Sequence, residues 1–230
     1  MKRLVFIGLA FFAGISTTCG QEPTVSVKSD RFPSQIHIAR LKYGGGGDWY
    51  NDPSEEVNLM NFVHTNTGID VYPEYTFVEL SDEKLFSFPI LFMTGHGNVV
   101  LSEYEIKRMR EYLEAGGFLY VDDDYGLDKA FRREIKKVFP EFQLVELPFT
   151  YGLFHCHFDF SGGVPKIHEH DGKPPQAFGL FLNGRLVVLY TYESNPSDGW
   201  TDPEVHNDPE EKRLEALRFG TNIVVWALTQ

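Results

Sequence analysis

Between Pro89 and Thr94 the chain runs Ile90-Leu91-Phe92-Met93, with no polar position at all. A strand with one wet face alternates polar and apolar residues, so a run that is apolar throughout needs cover on both faces. Phe118 to Val121 repeats the pattern. Between the two lies Ser102-Glu103-Tyr104-Glu105, a capping box opening a helix with Ile106, Met109 and Leu113 on one face, and Gly116-Gly117 ends it. Buried strand, helix, buried strand is the unit of a parallel sheet with helices on both sides.

The flanking sequence extends that unit. Gln35 to Tyr43 predicts a strand ending in Gly44-Gly45-Gly46-Gly47. Asp52-Pro53-Ser54-Glu55 predicts a helix start, with Asp52 as N-cap and the acids set against the helix dipole. Val57, Met60 and Val63 carry that helix to about Thr65. Further strands are expected at Tyr75–Val78 and Phe142–Leu147, and helices from about Leu127 to Val138 and from near Asn207 to about Leu228. Asn183-Gly184 joins Ala177–Leu182 to Arg185–Tyr192 as a two-residue hairpin. The expected fold is α/β: a three-layer, doubly wound, mostly parallel sheet with an added β-hairpin. Gly162 to Pro175 is taken as a long loop inside one domain spanning 35–230.

Lys2-Arg3, the apolar stretch Leu4–Ile15 and the small residues to Gly20 have the form of a signal peptide over residues 1–20. A polar tether follows over 21–34. These features predict export to the periplasm or exterior; lipidation at Cys19 is the alternative. Nothing later has the length and hydropathy of a transmembrane helix. Setting Lys2 and Arg3 aside leaves 19 basic against 33 acidic residues, a net charge of −14. Such a charge repels phosphate backbones and argues against a nucleic-acid partner. Two cysteines exclude a disulfide scaffold, and Cys156 is expected to pack rather than react.

Ligands of open parallel sheets bind beyond the carboxyl ends of the strands. Five such ends carry most of the polar chemistry. They are Gly46-Gly47-Asp48-Trp49, Gly95-His96-Gly97, Asp122-Asp123-Asp124, His155-Cys156-His157, and the stretch from Asn195 to Asp198-Gly199-Trp200. The glycines are either a phosphate cradle or a flexible loop beside a site; no Gly-Lys-Ser/Thr follows them, which disfavours a nucleotide P-loop. Asp122 and Asp124 should face one way along an extended backbone and Asp123 the other. Crowded carboxylates raise one another's pKa and suit a shared proton or a cation. His155 and His157 with Asp122 are a possible metal-ligand set. His168-Glu169-His170-Asp171 is expected to be a solvated loop, and Trp200 either stacks on a sugar or plugs the loop.

The order of Asp48-Trp49-Tyr50, Thr94-Gly95-His96-Gly97, Leu101-Ser102, Gly116-Gly117-Phe118 through Asp122-Asp123, Phe154-His155, Asp198-Gly199-Trp200 and Gly220-Thr221-Asn222 resembles the bacterial domain of unknown function 4159. That resemblance, from about Ile36 to Thr229, implies a flavodoxin-like fold similar to class I glutamine amidotransferases and ThuA-like proteins. In the amidotransferases the turn after the strand matching Phe118–Val121 holds a nucleophilic cysteine. Here Asp122-Asp123-Asp124 stands in its place, and a carboxylate cannot form the glutamyl thioester.

The functional expectation is a small polar, carbohydrate-like ligand bound at the strand ends. His96, Asp122 and Asp123 are the catalytic candidates, and Gly46, Gly47, Asp48, Trp49, Gly95, Gly97, His155, Asp198 and Trp200 the binding ones. No cofactor is expected; a divalent metal is the exception considered. The alternatives are a non-catalytic module binding a cell-envelope protein, and a metal-dependent hydrolase using His155, His157 and Asp122.

Overall fold

The computed structural model describes residues 35–230; the expected signal peptide, tether and Cys19 lie outside them. Seven strands form one sheet: β1 (Ile38–Lys42), β2 (Phe77–Glu79), β3 (Ile90–Met93), β4 (Phe118–Asp122), β5 (Val145–Glu146), β6 (Gln176–Leu182) and β7 (Arg185–Tyr192). Their spatial order is β2-β1-β3-β4-β7-β6-β5. The first five in that order run parallel, and β6 and β5 are antiparallel additions. The helices are α1 (Glu55–Thr67), α2 (Glu103–Glu114), α3 (Asp128–Val138), the short α4 (Pro203–His206) and α5 (Glu210–Thr229).

The apolar runs divide as strand geometry requires. Leu91, Met93, Leu119 and Val121 enter one core with Met109 and Leu113 of α2 and Phe131 and Ile135 of α3. Ile90, Phe92, Phe118 and Tyr120 enter the other, with Leu59 and Met60 of α1 and Phe219 and Ile223 of α5. Successive side chains point to opposite faces, so two-sided cover explains why no polar residue interrupts these strands. Ser102 and Glu105 form the expected capping box, and Asn183 and Gly184 take the positive φ values, 51° and 83°, of a tight hairpin.

Three boundaries differ from expectation. The strand expected over Phe142–Leu147 shrinks to Val145–Glu146, an exposed two-residue edge paired only with β6. Helix α1 starts at Glu55, because Asp52 sits at φ 45° and offers Glu55 its carbonyl rather than a capping side chain. Near Asn207, the left-handed φ of 57° ends α4, and Pro209 precedes the true start of α5. Residues 162–175 form the expected loop, tied to the exit of β7 by Ile167 N–H donating to Ser194 O at 2.7 Å.

Two segments of the family-like pattern are scaffold. Trp200 is buried, donates its indole N–H to Ala216 O at 2.8 Å and packs on Phe92 and Tyr120. Gly220 makes room for it: a Cβ there would meet Leu59 at 2.5 Å and Trp200 at 2.7 Å. Asn222 staples the 153–158 turn to α5, accepting from Phe158 N–H and donating to the carbonyls of Leu153 and Phe158. Removing a buried residue that makes three hydrogen bonds strands their backbone partners. Asn222→Ala should therefore cost about 2–4 kcal/mol in chemical denaturation; a loss below about 1 kcal/mol would show that water replaces the amide.

Candidate functional site

Strand order reverses between β1 and β3: the chain leaves β1 toward β2 on one side, and β3 lies on the other. The loops after two such strands diverge and open a crevice. Here the crevice is clasped from above. Gly47 N–H donates to Asn98 O and Val100 N–H to Gly44 O. A Cβ on Gly47 would meet His96 O at 2.8 Å, and one on Gly95 (φ 124°) would meet the Tyr43 hydroxyl at 2.6 Å. The glycine run thus makes a close backbone contact between two strand exits, while Gly46 stands clear of neighbours.

Asp48 and His96 meet across the crevice. Asp48 accepts from the His96 backbone N–H, and its second oxygen lies 3.1 Å from His96 Nδ1. The same ring nitrogen is 3.3 Å from Asp124. The imidazole is 53% exposed while Asp124 is almost wholly buried, so His96 is the solvent-facing end of a polar cluster that continues inward.

Arg40 organises that cluster from below. Fully buried on β1, it makes a two-pronged pair with Glu56 (2.5 and 2.8 Å) and reaches Glu55 at 2.6 Å. Its remaining nitrogen donates to the carbonyls of Trp49 and Asn51 and to the Asn51 side chain. Burial opposes its charge, but Glu56 and Glu55 more than offset this and hold it above the ordinary guanidinium range. Asn51 in turn donates to Asp124 at 2.6 Å. Asn195, after β7, donates to the other oxygen of Asp124 at 2.7 Å and to Asp198 at 3.0 Å.

The three aspartates divide by the expected alternation. Asp122 and Asp124 face the β7 exit, and Asp123 turns away. Asp122 is enclosed, accepting from Thr191 Oγ1 and Ser197 N–H, and burial pushes it up to about 7. Asp124 is raised by burial and by the neighbouring carboxylates of Asp198 and Asp122. Asp123 accepts from Leu127 N–H at 2.7 Å at the start of α3, and burial pushes it up to about 6. Its side chain is engaged at the start of α3, so the structure does not bring this catalytic candidate to His96.

Asp198 is also buried. Burial disfavours its charge, yet His168 Nδ1 at 2.5 Å and the Asn195 amide hold it below the ordinary carboxylate range. His168 Nε2 meets Asp208 at 3.1 Å. His168 and His170 therefore turn inward, correcting the expectation of a wholly solvated loop, while Glu169 and Asp171 stay exposed; Glu193 fastens the segment by accepting from Asp171 N–H. His170 packs against Tyr125 with its ring nitrogens buried. His206 Nε2 approaches Asp52 at 3.4 Å. Asp52, Tyr125, Glu193, Asn195 and Asn207 all hold positive φ values, so strained backbone gathers around this cluster.

Several expected residues lie elsewhere. His155 is occupied by Asp159 at 2.7 Å and Phe149 O at 2.9 Å, because its short helical turn packs under α5 instead of following a strand into the crevice. His155, His157 and Asp122 consequently do not form a metal-ligand group. Trp200 is core and cannot stack on a ligand, and the Trp49 ring lies against Phe77 and Lys42 at the sheet edge. Cys156 hydrogen-bonds the carbonyls of Leu153 and Asn222, and burial pushes its thiol up to about 11, so it packs as expected. The hollow of about 540 Å³ between Phe158, Lys166, Glu211 and Arg218 lies beside α5 and includes none of the strand-end residues around His96.

Arg40→Met would leave two buried carboxylates unpaired, and a loss of about 3–5 kcal/mol is expected in chemical denaturation near neutral pH. A loss under about 1 kcal/mol would mean that Glu55 and Glu56 find other partners. Asp123 gives a pH signature. Its folded pKa lies above its ordinary value of 3.8, so between pH 4 and 6 the folded chain binds more protons than the unfolded one, and stability falls as pH rises. Asp123→Asn keeps the acceptor for Leu127 and should flatten melting temperature against pH over that window, gaining up to about 3 kcal/mol above it. An unchanged slope would place the titration elsewhere.

No curated protein matches the chain. The family model for the domain of unknown function 4159 matches residues 37–228, most of the chain and the whole of the sheet, and the protein belongs to that family.

Proposed function

We propose that the crevice between the β1 and β3 exits binds a small polar ligand rich in hydroxyl groups, of the carbohydrate class, and is built for proton exchange with it. The observation that carries this reading is the exposed His96 imidazole held between Asp48 and Asp124. Carboxylate oxygens accept from sugar hydroxyls, and a ring nitrogen donates or accepts. His96 and Asp124 stand close enough to move a proton through a bound hydroxyl or water. Tyr125, exposed and next in sequence to Asp124, offers the aromatic surface that the buried Trp200 does not.

The finer fold reading, similarity to class I amidotransferases and ThuA-like proteins, is compatible with the strand order and with a site at the switch point. Within that reading the turn after β4 carries Asp123 and Asp124 where a nucleophilic cysteine would stand, and Cys156 lies under α5, so this turn supplies no thiol for glutaminase chemistry. The acidic surface favours uncharged or cationic ligands over phosphates. Export, as the N-terminal sequence suggests, would place this activity outside the cytoplasm.

The test is a thermal-shift and calorimetric screen of the full chain against neutral sugars, amino sugars and sugar acids. At least one should raise the melting temperature saturably. His96→Ala, at an exposed position, should keep the fold and weaken that ligand by about tenfold or more, the scale of one lost charge-assisted hydrogen bond. His155→Ala should bind as the wild type does. A flat screen, or equal affinity in His96→Ala, would overturn the proposal.

A further inference from the structure

Beyond His96 the cluster has a second centre, deeper and differently composed. The carboxylate oxygens of Asp52, Glu55 and Asp198 lie within 4.8 Å of one another, from the β1 exit, the start of α1 and the turn after β7. His206, the last residue of α4, brings Nε2 to 3.4 Å from Asp52 Oδ2 and 4.0 Å from Asp198 Oδ1.

Acids alone would not make a site, but the hydrogen bonding singles out which atoms are free. Glu55 gives Oε2 to Arg40 and leaves Oε1 buried without a partner. Asp198 gives Oδ2 to His168 and Asn195 and leaves Oδ1 buried without a partner. His206 Nε2 is near Asp52 yet makes no hydrogen bond. Each buried carboxylate thus has one oxygen anchored and the other idle, which is how outer partners orient the ligands of a metal. His168, held between Asp198 and Asp208, has both nitrogens engaged and acts as such an anchor. Leaving buried polar atoms unpaired costs about 1–3 kcal/mol each, so idle atoms on neighbouring Glu55, Asp198 and His206 call for a missing partner.

Charge and spacing agree. Asp52, Glu55 and Asp198 present three carboxylates to one space, and the nearby guanidinium of Arg40 is already committed to Glu56 as well as Glu55. Two ligands about 2.1 Å from a common ion stand about 3.4 Å apart at a tetrahedral angle, the separation of His206 from Asp52. Three carboxylates with one imidazole suit a divalent first-row ion such as Zn²⁺ or Mn²⁺ better than the soft ion Cu⁺.

We propose that Asp52, Glu55, Asp198 and His206 bind one divalent transition-metal ion, with His168, Asn195 and Arg40 positioning the carboxylates. This goes beyond the ligand assigned to the His96 crevice, and it can hold or fail without that ligand. It also replaces the histidine pair suggested by residue spacing, His155 and His157, with a set drawn from the β1–α1 and β7–α5 connections.

The experiment needs no substrate. Full-length protein is stripped with a chelator, dialysed, and titrated with ZnCl₂ and with MnCl₂ by calorimetry, and bound metal is counted by mass spectrometry. One equivalent per chain is expected, with a saturable rise in melting temperature. Glu55→Gln and His206→Gln should each weaken binding at least about tenfold, and His155→Ala should bind as tightly as the wild type. Because Glu55 also holds Arg40, His206→Gln, in a short surface helix, is checked by circular dichroism to separate metal loss from unfolding. Substoichiometric uptake by the wild type, or uptake that a folded His206→Gln leaves unchanged, would overturn the site. Failure of the sugar screen with stoichiometric metal uptake would refute only the crevice ligand.

Discussion

The polar cluster at the ends of β1, β4 and β7 hangs from the Arg40 guanidinium. It is buried in the sheet and faces the layer of α1 and α5, beneath the crevice. Its donors are spent on Glu55, Glu56, two backbone carbonyls and the Asn51 side chain. That single group sets the path of the loop from β1 into α1, and with it the positions of Asn51, Asp52 and Glu55. Buried ion pairs are poor sources of net stability but strong determinants of geometry, because either partner alone is intolerable in the core. Here the geometry so determined is that of the site.

From Arg40 the connection passes outward through Asn51 to Asp124 and then to His96, and sideways through Asn195 to Asp198 and His168. Two amides occupy the oxygens of Asp124, and an amide and an imidazole share one oxygen of Asp198. The result is a crowd of carboxylates kept apart by fixed dipoles, with an exposed imidazole at one end and unpaired oxygens at the other. Such an arrangement opposes full ionisation of every acid, and it is tolerated where protons or cations are part of the function.

The residues that carry the family-like pattern divide between two jobs. Trp200, Gly199, Gly220 and Asn222 pack or staple α5 and its neighbours: a Cβ on Gly199 would meet Ala216 at 2.4 Å, as one on Gly220 would meet Trp200. Asp48, Gly95 and His96 shape the crevice, and Asp122 is fixed behind it against Thr191 and Ser197. A motif list does not distinguish these jobs. Asp198 and Trp200 are two residues apart, yet one faces the polar cluster and the other fills the core.

Local rules made much of the fold legible in the sequence. Apolar runs marked the strands covered on both faces, the capping box marked α2, Asn-Gly marked the hairpin, and strand-end logic led to Asp48, His96, Asp122 and Asp198. These follow from periodicity and turn chemistry, which act over a few residues. Tertiary structure alone decided that Arg40 is the anchor, that Asp124 and not Asp123 stands beside His96, that Trp200 is core, and that His155 is occupied beneath α5. It alone brought Asp52, Glu55, His168 and His206 into the site. Those four sit in loops and helix ends whose local sequence predicts only caps, dipole partners or solvated turns. What unites them is the return of distant segments over the ends of β1 and β7, and no local period records where a loop comes to rest.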